Sequence, residues 1–244
     1  MANEICHFSV CPHDTANNQV VWFTLNTYLQ RKLEVRMRFE PESNLIKERE
    51  TVLSQPHHVV YANPFSAVCF LEKGYVPVAR PIGLNDETLL IGKEDFDIAA
   101  AARPIKVASA SDKLIIHPLG LTLLPGMGLS ADDVTFDFCG NHMNAVKAVL
   151  NGTSQLGFVF NETWGALSKS TRATLKVLAE TKDGKAFHCF MVGEEWKDRV
   201  TQVQQELCNM NTDPAGKSII DELGFSGIEA ITPDALDAIK TLMT

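Results

Sequence analysis

The amino-acid sequence predicts an α/β fold, and three observations carry this prediction. Short apolar runs such as 57–62 and 156–160 alternate with longer amphipathic stretches, which is typical of strands alternating with helices. Several apolar runs end in polar residues that open directly into a helix, as they do at the ligand-binding edge of open α/β sheets. Two breaks in composition also divide the chain, so we expect two lobes, the first of them discontinuous.

The elements follow in order along the chain. Strands are expected at 4–10, 35–40, 57–62, 76–82, 105–109, 134–138, 156–160, 175–179 and 187–192. Helices are expected at 16–32, 43–53, 64–73, 113–124, 142–151, 162–168, 195–209, 214–222 and 233–242. The helix at 214–222 has the clearest signals, because Thr212 or Asp213 can cap it, Pro214 suits its first turn and Gly224 fits its end.

Two junctions set the expected lobe boundaries. In "EDFDIAAAARPIKVAS" a charged stretch meets small residues and then a new strand, and in "AETKDGKAF" the pair Asp183-Gly184 signals a turn. The sequence therefore predicts a first lobe from residues 1–104 and 183–244 and a second lobe from 105–182.

Composition restricts the function and the compartment. The chain has 244 residues and a formal net charge of −8, which disfavours a nucleic-acid partner or an anionic membrane surface. It has no apolar run of about 18 residues, so we expect no direct membrane insertion. The first residues lack a basic region followed by an apolar one, which predicts a cytoplasmic protein as written, or a periplasmic one if a leader has been removed. The six scattered cysteines form no CxxC pair, are interpreted as core thiols and favour a reducing compartment.

Polar residues at the ends of several predicted strands are the candidate binding residues. They are His13, Tyr61, Asn63, Ser109, Ser111, His142, Asn161 and Glu162. Helix N-termini present free N–H groups and a partial positive charge, so several of them converging would hold an anion without a lysine. Taken singly, such serine and asparagine residues are also ordinary helix caps.

A family resemblance adds to this interpretation. The stretches "VVYANPFSAVCFLEKGYVPVARPIG", "GNHMNAVKAVLNGTSQLGFVFNETW", "LKVLAE" and "DPAGKSIIDELGFSGIEAITPDALDAIKTL" resemble the phosphate, phosphite and phosphonate-binding family of ABC-importer substrate-binding proteins. The resemblance covers most of the chain. It implies the two-lobed type II periplasmic-binding-protein fold, with a discontinuous first lobe and a ligand cleft between the lobes.

The resemblance also implies roles for the candidate residues. Tyr61, Asn63 and His13 would face the ligand from the first lobe. Ser109 and Ser111 would hold anionic oxygens, and His142 would donate a further hydrogen bond. Asn161 or Glu162 would meet a protonated oxygen or an amine of the ligand.

The same resemblance implies a protein that is not an enzyme, needs no cofactor or metal, and is a monomer. Its partners would be a small anionic ligand and an ABC importer permease or a sensor protein.

Three questions stay open at this point. The loop "ASASDKLIIHPLG" has Ala110 where a hydroxyl group could donate and a negative Asp112, so the ligand within the oxyanion class is not fixed. One alternative is a cysteine-dependent enzyme with Cys139 as nucleophile near His142. The other is a metal or metalloid sensor that uses Cys11 and His13, with Cys69 and Cys139 nearby.

Overall fold

A computed structural model describes residues 5–243, apart from the side chain of Asn17, and it confirms the predicted α/β class. The chain forms two compact units. The first lies within Met1–Leu84 and Phe187–Lys240, and the second within Asn85–Ala186 and Thr241–Thr244. The first unit is discontinuous, as the sequence predicted.

The first unit contains a six-stranded mixed sheet. Its strands are β1 (Cys6–Val10), β2 (Met37–Phe39), β3 (Val59–Ala62), β4 (Val76–Pro81), β10 (Cys189–Val192) and β11 (Ile228–Ala230). Their order is β11-β4-β10-β3-β1-β2. Strands β1, β2 and β3 are parallel, whereas β10 runs antiparallel to both β3 and β4. All four residues of β3 are buried, which explains its continuous apolar run.

Six helices accompany this sheet. They are α1 (Pro12–Leu33), α2 (Leu45–Ser54), α3 (Pro64–Leu71), α8 (Val200–Asn209), α9 (Pro214–Glu222) and α10 (Asp237–Leu242), of which the last two residues are grouped with the second unit. The long helix α1 packs Trp22, Leu25 and Leu29 into the main hydrophobic core of the unit. It begins at Pro12, four residues before the expected start at 16, and its backbone is non-helical at Asn18, inside the expected range 16–32.

The second unit contains a five-stranded mixed sheet. Its strands are β5 (Thr88–Lys93), β6 (Ile105–Ser109), β7 (Val134–Phe138), β8 (Leu156–Phe160) and β9 (Leu175–Glu180), in the order β7-β6-β8-β5-β9. Its helices are α4 (Ile116–Leu123), α5 (His142–Leu150), α6 (Asn161–Ala166) and α7 (Lys169–Arg172). Strand β6 is parallel to β7 and β8, so these three strands end at one edge of the sheet.

Strand β5 moves the first lobe boundary relative to the sequence-based expectation. Residues 88–93 pair antiparallel with β8 and β9, although no strand was expected there and the boundary was placed near residue 104. The chain enters the second unit at Asn85, and the expected boundary at 183 lies close to the observed return at Phe187. Residues 88–93 belong to the second unit because Leu89, Leu90 and Ile91 pair with both neighbouring strands, which buries all three residues.

Four other elements differ from the expectation. Helix α4 begins at Ile116 and not at 113, because residues 110–115 form an irregular turn after β6. The short edge strand β11, which pairs with β4, was not expected. Short 3₁₀ segments at Glu194–Arg199 and Pro233–Leu236 replace the first turns of two expected helices.

Candidate functional site

In the first unit, the carboxyl ends of β1 and β3 lie side by side. The backbone N–H of Cys11, one residue past β1, donates to the carbonyl oxygen of Tyr61 in β3 at 2.8 Å. Helices α1 and α3 begin directly after these two ends. His13 lies in the first turn of α1 and is half-buried. This edge is therefore where the parallel part of the sheet presents its polar residues.

The ring of Tyr61 is a core residue of the first unit. Its side chain is fully buried, and its ring centroid lies 4.9 Å from that of Trp22 and 4.7 Å from that of Phe190. The ring of His188 is also near, at 5.6 Å. The tyrosine thus packs the unit from within, and a ligand contact of its hydroxyl group stays a prediction.

Asn63 caps the N-terminus of α3. Its Oδ1 accepts a hydrogen bond from the backbone N–H of Ser66 at 3.0 Å, and its Nδ2 donates to the Oγ of the same serine at 3.0 Å. The Oγ of Ser66 also accepts from Nε of Arg49 at 3.0 Å. Because only 7% of Asn63 is exposed, its side chain serves this local network, and a contact with ligand stays a prediction.

A buried carboxylate stands beside this network. Glu48 in α2 is fully buried, and one of its oxygens accepts from the hydroxyl group of Ser9 at 3.4 Å. Burial raises the pKa of Glu48 to about 7, against the opposing effect of the positive Arg49. The sequence analysis missed both residues, because charged residues on an amphipathic helix are normally at the surface.

A second buried cluster joins Cys11, Asp14 and His188. One ligand-type atom from each side chain lies within 4.8 Å of the other two. The sequence had grouped Cys11 with His13, whereas the structure groups it with Asp14 and His188. Burial raises the pKa of the Cys11 thiol well above its ordinary value, and the carboxylates of Asp14 and Glu48 act in the same direction.

In the second unit, the ends of β6 and β7 are held together. The carbonyl oxygen of Ser109 accepts from the backbone N–H of Cys139 at 2.8 Å, and that of Ala110 accepts from Gly140 at 2.9 Å. Gly140 has a φ of +83°, which suits glycine at this turn. These bonds bring the loop after β6, which carries Ser109 and Ser111, next to the loop that leads to His142.

The two serines of the first loop differ in their surroundings. Ser109 is only 1% exposed, and its buried Oγ has no hydrogen-bond partner among residues 5–243. Ser111 is half-buried and stabilises its own turn, where its Oγ accepts from the backbone N–H of Lys113 and donates to the exposed Asp112. Ser109 is thus the serine with unused hydrogen-bonding capacity.

His142 is the first residue of α5. Asn141 caps this helix by accepting from the backbone N–H of Asn144 at 2.8 Å. The imidazole ring of His142 is half-buried, and its centroid lies 5.6 Å from that of Phe160 at the end of β8. Its ring therefore lies beside the end of the third parallel strand.

Asn161 and Glu162 follow β8. The side chain of Asn161 donates to the carbonyl oxygen of Asn85 at 3.1 Å and accepts from the backbone N–H of Glu87 at 3.2 Å. It therefore braces the segment by which the chain enters this unit, and its expected ligand contact stays a prediction. Glu162 is exposed.

The environment of Cys139 bears on the enzyme alternative. Its Sγ donates to the carbonyl oxygen of Asp137 at 3.3 Å. Burial and the negative Asp137 raise the pKa of this thiol. A catalytic cysteine needs the opposite shift, because the thiolate is the nucleophile.

The arrangement supports binding chemistry. The strand ends of the second unit bring together a buried hydroxyl group, an imidazole and the capped start of α5, groups that can donate hydrogen bonds to a small solute. A two-unit α/β chain with such strand ends has the features of a solute-binding protein. The family described as ABC transporter, phosphonate, periplasmic substrate-binding protein matches residues 8–236. The chain belongs to this family, as its motifs indicated.

Solved structures with a similar fold include solute-binding proteins of ABC transporters. A protein of Xanthomonas citri bound to chloride ion is 16% identical, with a TM-score of 0.78 over 98% of this chain and 96% of that chain. PhnD1 of Prochlorococcus marinus in complex with methylphosphonate is 12% identical, with a TM-score of 0.76 over 98% and 97%. The periplasmic aliphatic sulphonate binding protein SsuA of Escherichia coli is 11% identical, with a TM-score of 0.70 over 98% and 90%. No curated protein sequence matches the chain.

Membership of the family establishes the broad role. Its members are periplasmic substrate-binding components that work with ABC transporters and are not enzymes. Across residues 5–243, we find no helix with the length and apolar character needed to cross a membrane.

Proposed function

We propose that this protein binds a small oxyanion of the phosphonate, phosphite or phosphate type, releases it unchanged, and delivers it to an ABC importer permease in the periplasm. Family membership supports the delivery role, and the methylphosphonate complex of a structural relative supports the ligand class. The raised pKa of Cys139 supports a role without catalysis.

The observation that carries the proposal is the unused hydroxyl group of Ser109. A buried hydroxyl group without a partner is costly, and proteins rarely keep one unless another group completes its bonding. Ser109 ends β6 at the edge where three parallel strands finish, and the adjacent loop leads to His142. An oxyanion oxygen at this edge would accept the missing hydrogen bond.

The other predicted residues divide into two groups under this proposal. Ser111, His142 and His13 contact the ligand, and the exposed Glu162 meets its protonated oxygen or amine. The buried or locally bonded side chains of Tyr61, Asn63 and Asn161 act mainly by fixing the strand ends.

A thermal-shift screen tests the proposed function. The panel contains phosphate, phosphite, methylphosphonate, 2-aminoethylphosphonate and sulfate, because a solute that binds only the folded state raises the melting temperature. We expect the largest rise from one of the phosphorus oxyanions, confirmed by calorimetric titration. A response to sulfate alone, or to no anion in the panel, would contradict the proposed ligand class.

Ser109→Ala should separate binding from stability. We expect the affinity for the best oxyanion to fall by about 1–2 kcal/mol, because one donor is lost at a buried contact. The free energy of unfolding without ligand should not fall and should rise slightly, because the substitution removes a buried hydroxyl group that has no partner among the described residues. Calorimetric titration and urea unfolding measure the two quantities.

Ser154→Ala is the matched control in the same unit. Ser154 is equally buried, but its Oγ donates to Asp137 at 3.4 Å. This control should lower stability and leave affinity unchanged. Equal affinities of wild type and Ser109→Ala would remove Ser109 from the binding site.

A further inference from the structure

The strongest unassigned feature is the buried cluster of Cys11, Asp14 and His188 in the first unit. The three residues come from distant parts of the sequence, and the sheet brings them together. Cys11 follows β1, whose end is tied to β3 by the bond from its N–H to Tyr61. Strand β10 pairs with β3 so that Cys189 lies opposite Ala62, which brings His188 to the same edge.

The first turn of α1 directs the third side chain toward the other two. The backbone N–H of Asp14 donates to the carbonyl oxygen of Cys11 at 3.0 Å, so Asp14 lies one turn above the cysteine. Cys11 is fully buried, His188 is 6% exposed and the Asp14 side chain is 15% exposed. The cluster is thus nearly closed to solvent.

The contacts within the cluster leave one carboxylate oxygen without a hydrogen bond among the described residues. Oδ2 of Asp14 is buried and has no hydrogen-bond partner within the described part of the chain. Its distance to Nδ1 of His188 is 3.8 Å, which is too long for a hydrogen bond. A cation between these atoms would satisfy the buried carboxylate oxygen that the protein leaves open.

The donor set selects the kind of ion. A thiolate, an imidazole and a carboxylate together suit zinc and similar borderline divalent ions, whereas calcium and magnesium prefer sites made only of oxygen. In a tetrahedral zinc site the bonds of about 2.0–2.3 Å put donors roughly 3.5 Å apart. Donors that lie within 4.8 Å therefore need movements of about 1 Å, which side-chain rotation can supply.

A neighbouring amide supports the sulfur ligand. Nδ2 of Asn63 points at Sγ of Cys11 from 3.8 Å, and Asn63 itself is fixed as the cap of α3. Such outer hydrogen bonds orient metal ligands. The negative charges of Asp14 and of the cysteine thiolate would balance a divalent ion.

We propose that Cys11, Asp14 and His188 form a binding site for a divalent ion of the zinc class, with a water molecule as the fourth ligand. The site lies wholly in the first unit, whereas Ser109 and His142 belong to the second unit; of the proposed oxyanion contacts, only His13 is a sequence neighbour of the metal ligands. When the ion binds, the thiol proton of Cys11 passes to solvent and its sulfur bonds to the metal.

Titration of the whole protein with Zn²⁺ and Co²⁺, after chelator treatment, tests this site. We expect one equivalent of Zn²⁺ to bind and to raise the melting temperature. Co²⁺ should produce a thiolate-to-cobalt charge-transfer band, because sulfur is a ligand. Asp14→Asn should weaken Zn²⁺ binding at least tenfold, and Cys11→Ser should abolish the cobalt band.

Cys208→Ser is the control, since Cys208 lies in α8, outside the cluster, and should leave the band and the affinity intact. If Cys11→Ser fails to fold, Asp14→Asn decides the question, because it keeps the shape of a partly exposed side chain. Absence of stoichiometric binding, or a band that persists in Cys11→Ser, would overturn the proposal. So would unchanged affinity in a folded Asp14→Asn variant. Oxyanion binding measured on the same samples keeps the two proposals separate.

Discussion

Replacing Gly193 with alanine is expected to destabilise the first unit by about 3 kcal/mol or more, the upper range for overpacking in a closely packed structure. Gly193 follows β10, and a Cβ atom built there would lie 2.0 Å from the carbonyl oxygen of His57. That oxygen belongs to the backbone. The amide of His57 also donates to the hydroxyl group of Tyr75 at 3.2 Å, so this segment cannot move away without losing a buried bond. Urea unfolding followed by circular dichroism measures the loss.

Gly126→Ala is the control for this prediction. A Cβ atom at Gly126 meets no atom of the described residues within 4 Å, and the backbone there is not in the left-handed region. We therefore expect the control to match wild type. A Gly193→Ala protein as stable as Gly126→Ala would show that the approach of His57 to Gly193 is not tight in solution.

Glu48→Gln is expected to change how stability depends on pH. The pKa of Glu48 is raised from 4.5 to about 7 by burial, so the native state keeps its proton where the unfolded state has released it. Between these values the unfolded state binds fewer protons, so the free energy of unfolding falls as pH rises. Glutamine removes this dependence. Between pH 4.5 and 8 the variant should therefore gain about 3 kcal/mol relative to wild type.

Glu50→Gln on the same helix is the matched control, since Glu50 is exposed. Urea unfolding at several pH values gives the three curves. Parallel curves for wild type and Glu48→Gln would mean that Glu48 releases its proton normally in the folded protein. If the free energy of unfolding changes with pH equally in Glu48→Gln and Glu50→Gln, the pH dependence of stability arises from other groups.

The sequence predicted the elements that have strong local signals. The strand predicted at 57–62 and the helix predicted at 64–73 appear as β3 and α3, because Asn63 caps the helix and Pro64 begins it. The cap and stop residues likewise located α9 within one residue. Local hydrogen bonding and backbone geometry decide these features, and both are encoded within a few residues.

The features that depend on distant partners were not predictable from one sequence. Strand β5 is short and becomes a strand through its pairing with β8 and β9. The composition break near residue 104 therefore placed the lobe boundary too late in the sequence. The turn at Gly83, with a φ of +72°, directly precedes Asn85, where the chain enters the second unit.

The polar clusters were harder still to predict. His188 and Asp14 are 174 positions apart in the sequence, and only the pairing of β10 with β3 unites them. The candidate residues of the second unit were chosen because they stand at the ends of predicted strands, and Ser109, His142 and Asn161 do lie at or just beyond the ends of three parallel strands, although their contact with a ligand stays a prediction. Their side-chain partners were not visible, and Asn161 is committed to Asn85 and Glu87.

The place of β10 in its sheet has a consequence for biosynthesis. This strand lies between β3 and β4, yet it emerges from the ribosome only after the whole 85–186 segment has emerged. All strands of the second unit therefore emerge before the sheet of the first unit is complete. Until β10 emerges, the edges of β3 and β4 that pair with it are unpaired and can pair with wrong strands. The early part of the nascent chain is therefore the part that would gain most from a chaperone until residues 189–192 emerge.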